Sequence, residues 1–169
     1  MDRFRKRMWR TARAIGLPCS PRTFAEKECP WDGKVLHGHA RISGQGICDW
    51  WHEIGHFLVA PEKALKLRGW GQGTVYDGTE GGPEILDEAD EPDASAVGIW
   101  CQQVFGLDPE GARVHAEFHS WIASNSPSMY KGSREKSWQQ HLADMLSPVR
   151  DRVEQRLSRA GLPTPWSTP

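Results

Sequence analysis

The 169-residue chain is 38% hydrophobic and 25% charged, with 21 basic against 22 acidic residues. This is a globular composition, long enough to bury a core without disulfides or a structural metal, so a disordered chain is excluded and a bound metal reads as functional. The net charge of −1 gives no case for general nucleic-acid or membrane binding, although it conceals a basic start and a later acidic belt.

Residues 2–15 read as a basic helix with apolar positions Phe4, Met8, Ala12 and Ile15, ended by Gly16 and Pro18. Six bases and Asp2 fall within residues 1–13. This is a solvated helix docked by one stripe, or else a nucleic-acid contact arm. No apolar stretch follows it, so a secretory signal is not expected and a cytosolic address is the default. Nothing approaches the roughly 18 apolar residues of a membrane helix. The longest candidate, Ile47 to Ala60, is interrupted by Asp49, His52, Glu53 and His56.

Residues 33–44, with Val35, Leu36, Ala40 and Ile42 between glycines, are the best strand or hairpin candidate. A helix follows from about Gly46 to Ala60, stopped by Pro61. Residues 69–82 hold six glycines and form a long loop, expected to act as a lid. The belt from Glu80 to Asp93 carries seven acids and no base. Pro92 opens a helix to about Phe105, and Asp108 with Pro109 starts another to about Ser124, carrying Val114, Phe118, Trp121 and Ile122. Ser133 is expected to cap a further helix, restarted at Ser147 and Pro148 toward Gly161. The expected fold is mainly α, with α+β as the other option. It is a single domain over residues 1–161, with residues 162–169 as a loose tail. Cys19, Cys29, Cys48 and Cys101 form no Cys-x-x-Cys pair and read as reduced thiols.

The specific motif is His52-Glu53-Ile54-Gly55-His56, expected by chance on the order of 0.02 times in such a composition. Ile47, Trp50, Trp51, Ile54, Phe57 and Leu58 make this segment an apolar helix, so His52 and His56 stand one turn apart and both reach one ion. Glu53 lies roughly 100° around the helix from His52. That is too far for a ligand but close enough to accept a proton from metal-bound water, making Glu53 the candidate general base. The plainer alternative is a core helix whose histidines bond carbonyls.

A catalytic site needs a third protein ligand and an open coordination position. Val59 and Lys66 occupy the third and tenth places after His56, so the ligand is not a third histidine from this helix. A carboxylate from the acidic belt is expected, with Glu91 first and Glu88 or Asp87 next. Because Pro92 follows it, Glu91 is alternatively a helix cap. His115 and His119 form a second i, i+4 pair, read either as one face of a partly exposed helix or as groups that stabilise an oxyanion or orient a ligand. Tyr130, Tyr76, His37 and His39 are weaker candidates for that work.

At His52 to His56 the chain resembles zincin-like metalloproteins, in which a glutamate just ahead of a small residue on a second helix is a ligand, as Glu91 is before Ala94 and Ser95. Over about residues 45–105 it also resembles the elongation factor P hydroxylase family. That likeness is carried by the His-Glu-Ile-x-His helix followed by Phe57, the basic Lys63 to Arg68 segment, the Gly69-Trp70-Gly71 turn, and the acidic segment leading into an apolar helix. The first resemblance implies a zinc metallopeptidase-like hydrolase and the second an iron-dependent protein hydroxylase. Two histidines and a carboxylate bind zinc or iron(II) alike. The Glu-x-x-His pattern occurs once, at Glu53 to His56, which favours a mononuclear site over a di-iron one. The leading expectation is a metal-dependent hydrolase of protein or peptide substrates, with zinc as cofactor and Glu53 as base. The alternatives are the iron(II) hydroxylase and a degenerate zincin fold used as a binding module.

Overall fold

A computed structural model describes residues 3–20, 36–37, 44–62, 65, 90–125 and 136–167. Among these residues the chain is mainly α. Its six helices are α1 (Arg3–Ala14), α2 (Gly44–Val59), α3 (Asp90–Val104), α4 (Pro109–Asn125), α5 (Trp138–Asp144) and α6 (Val149–Arg159). Two short strands, β1 (Cys19–Ser20) and β2 (Leu36–His37), pair in parallel with Cys19 opposite Leu36. β2 falls within the strand expected at 33–44, but its described partner is β1; residues 33–35 and 38–43 lie outside the described residues. So do residues 69–82, where a loop was expected.

The centre of the fold is the α2 and α3 pair, which shares the most extensive helix contact. From α2, Trp51, Ile54 and Leu58 are wholly buried at a spacing that makes one helical stripe. α3 answers with small side chains, Ala94, Ser95, Ala96 and Val97, all buried. The approach is close enough that a Cβ on Gly55 would overlap the carbonyl of Ala94, and one on Gly98 would overlap that of Trp51. Gly55 stands inside the His-Glu-x-x-His motif, so the spacing of the two central helices is written into the motif itself.

The outer helices close this pair. α1 buries Met8 and Ala12, with Ile15 just beyond its end, as the apolar stripe predicts, and exposes Arg3, Lys6, Arg10 and Arg13. Trp9 stacks at a tilt on Trp50, with ring centroids 5.0 Å apart. α6 buries Val153 and Leu157 and sends two arginines to the end of α2. Arg152 Nε donates to the Val59 carbonyl at 2.7 Å, and Arg156 donates to those of Phe57 and Leu58. These are the carbonyls a helix C-terminus leaves without intrahelical donors.

Two local expectations, the cap of α5 and the loose tail, are corrected. α5 is capped by Ser137, whose side chain accepts from Gln140 N–H in a capping box; Ser133 lies outside the described residues. α4 turns Ala112, His115 and His119 inward and leaves Val114 exposed. Residues expected as a loose tail are instead held: Leu162 and Trp166 pack on the core, and Trp166 Nε1 donates to the Leu142 carbonyl at 2.8 Å. A terminal tryptophan buries apolar area that a polar tail lacks, and its N–H finds an acceptor at the end of a short helix.

Candidate metal centre

α2 carries His52 and His56 one turn apart, and α3, held close by the glycine contact, carries Glu91. Pro92 is only the third residue of α3, where its missing N–H falls among donors that have no intrahelical acceptor. Glu91 therefore lies on the helix itself.

The three side chains converge. Glu91 Oε2 lies 3.2 Å from His52 Nε2, Glu91 Oε1 lies 3.3 Å from His56 Nε2, and the two Nε2 atoms are 2.9 Å apart. Bonds of roughly 2.0–2.1 Å in a tetrahedral shell place neighbouring donors about 3.3 Å apart, so three donors at this spacing could hold one small cation. Within the described residues this is the one group of three metal-ligating side chains whose donor atoms all lie within 4.8 Å of one another. His56 and Glu91 are buried, and the His52 side chain is 22% exposed, which leaves the approach on its side.

Electrostatics suit a cation. Burial alone would raise the Glu91 carboxyl, but His56 and His52, by charge and by hydrogen bonds, hold it well below the usual carboxylate range. It is thus an anion in a buried place. Ser95, one turn beyond Glu91 on α3 and 2% exposed, places Oγ 3.0 Å from His52 Nδ1. When Nε2 faces a metal, Nδ1 carries the proton and donates to Ser95, fixing the ring.

Glu53 is half-buried on α2 between the two candidate ligand histidines in sequence. Glu88 and Asp87 lie outside the described residues, as do His39, Tyr76 and Tyr130; for His37 only the backbone is described. His115 and His119 are buried on α4. The His115 ring lies 6.2 Å from that of His52, and the His119 ring 6.3 Å from that of His141 on α5. Burial, with His52 and His119 nearby, pushes the His115 imidazole down to about 3. His119 is pushed down to about 4, again chiefly by burial.

Three residues here were missed from sequence. Ser95 carried a signal, its i+4 relation to Glu91. Gln102, which bonds His115, and His141 carried none, because each comes into place only when a separate helix packs. Comparison with protein-family models, curated proteins and solved structures finds no match for this chain.

Proposed function

We propose that this chain is a mononuclear metal-dependent hydrolase of protein or peptide substrates, zincin-like in its motif, with His52, His56 and Glu91 holding the ion. The observation that carries the reading is the convergence of two imidazole nitrogens and a buried carboxylate at tetrahedral spacing, with Glu53 in the same motif. A bound zinc ion would lower the pKa of a water toward 7 and polarise a substrate carbonyl. Glu53 accepts the proton released and returns it to the leaving amine. Ser95 fixes the His52 ring, and burial of Glu91 and His56 keeps bulk water from the inner side of the triad. Three protein donors leave the remaining position to water and substrate.

The test has two parts. Purified protein is analysed for bound metal, then assayed for peptide-bond hydrolysis with zinc, alongside Glu53→Gln. Stoichiometric zinc with hydrolysis lost in Glu53→Gln, while metal stays bound, is the expected result. The same donors also suit iron(II). Stoichiometric iron from anaerobic preparation, with oxygen-dependent product and no hydrolysis, would replace this reading by a protein hydroxylase.

A further inference from the structure

Gln102 on α3 is wholly buried, and its amide joins two groups on the α4 side. Its Nε2 donates to Asp108 Oδ2 at 3.2 Å, and its Oε1 lies 3.1 Å from His115 Nδ1. A carboxylate only accepts hydrogen bonds, so the amide nitrogen faces Asp108 and the amide oxygen faces His115. That oxygen also only accepts. Nδ1 of His115 therefore carries a proton, and when the ring is neutral Nε2 keeps its lone pair.

The rest of the network holds this arrangement. Asp108 Oδ1 accepts the Gly111 N–H at 3.0 Å, which caps α4. A Cβ on Gly111 would overlap both Asp108 Oδ2 and Gln102 Nε2, so the glycine leaves room for their bond. Capping alone requires Asp108 and a backbone N–H. The buried glutamine is the added part, and what it reaches is a histidine whose ring stands 6.2 Å from that of the ligand His52.

We infer that His115 is a hydrogen-bond acceptor beside the metal triad, its Nε2 receiving an N–H or O–H from a ligand bound at the metal. The inference rests on the metal-site reading above and narrows its ligand class to metal-binding groups flanked by a donor, as in an amide or hydroxamate. It also revises the role expected from sequence. An oxyanion needs a donor, and a neutral His115 held in this tautomer has already committed its only N–H to Gln102.

Acetohydroxamic acid and its N-methyl analogue make the test, since both chelate through two oxygens and only the first retains an N–H. The zinc-loaded wild-type protein is expected to bind the N–H compound about tenfold more tightly, the size of one net hydrogen bond. His115→Phe should bring the ratio close to one, and Gly111→Ala, which displaces the Gln102 and Asp108 side chains without touching the ring, should reduce it. An undiminished ratio in His115→Phe with zinc still bound overturns this inference and leaves the metal reading standing. Failure of wild type to bind zinc overturns both. Histidine ¹⁵N NMR of the metal-free full chain gives a readout independent of any variant's folding. A protonated Nδ1 and bare Nε2 on His115 are expected, and the opposite tautomer would refute the assignment.

Discussion

Arg156 donates through Nη1 to the carbonyl of Phe57, the residue that follows the candidate ligand His56, and to that of Leu58 at 3.3 Å. Its guanidinium also lies over the Phe57 ring, 5.2 Å from the centroid, and pairs with Glu62 at 3.0 Å. A cation at a helix C-terminus meets the negative end of the helix dipole. α6 is thus clamped to the last turn of the helix that carries His52 and His56. Arg156→Met is expected to cost about 2–3 kcal/mol, because buried carbonyls lose charged donors. Arg150→Met, which breaks a partly exposed pair with Glu154, should cost under about 1 kcal/mol. Urea unfolding of both variants checks the contrast, and equal losses would show that the clamp contributes nothing special.

The glycine contact between α2 and α3 leads to a second expectation. Gly98→Ala places a methyl group against the Trp51 carbonyl, a backbone atom that cannot swing aside. Overpacking of this kind costs about 1–3 kcal/mol. The helices must also part, and they carry the ligands separately, His52 and His56 on one and Glu91 on the other. Zinc affinity, measured by competition with a chromophoric chelator, should fall together with stability. A destabilised variant with wild-type affinity would show that the helix spacing does not set the ligand geometry.

What the sequence made legible follows from the range of the interactions involved. The pairing of His52 with His56 is local and is dictated by helical pitch. Glu91 was reachable because an acidic segment runs into an apolar helix, although the proline after it argued for a cap. For His115 and His119 the i, i+4 spacing left two readings open, a partly exposed helix face or groups acting at the site, and only the packing of α4 decides that both are buried. The arginine clamp was not readable, since it joins residues 93 to 99 apart in the chain. Trp166 was hidden in the same way, because its acceptor on Leu142 exists only after α5 has packed.

Metal should stabilise the fold. A ligand that binds only the native state adds about 2.7 kcal/mol at a hundredfold excess over its Kd. Adding zinc to metal-free protein is therefore expected to raise Tm by several degrees. His56→Ala and Glu91→Ala should abolish that rise, since each removes a buried donor. Ser95→Ala should keep the rise but shift it to about 10–100-fold higher zinc, the usual cost of losing a bond that orients a ligand. A rise that persists undiminished in Glu91→Ala would remove that carboxylate from the ligand set.

Acid should weaken the metal-free protein in a window set by its buried histidines. His119 is pushed down to about 4 by burial and by His141 and His52, against the opposing pull of Glu91, whereas an unfolded histidine titrates near 6.5. Between those values the unfolded state binds the extra proton, so stability is fully present above about 6.5 and is lost as pH falls toward about 4. At 1.36 kcal/mol per pKa unit the loss is on the order of 3 kcal/mol for His119, and His115 acts in the same direction. Glu91 is also depressed, but its contribution fades only below the unfolded carboxylate value near 4.5. Unfolding free energies measured from pH 6.5 to 4.5 therefore exclude most of the Glu91 effect. The slope with pH should be positive there and shallower in His119→Gln, because that variant has no imidazole to protonate on unfolding. A slope unchanged by the substitution would mean that His119 takes up its proton equally well in the folded state.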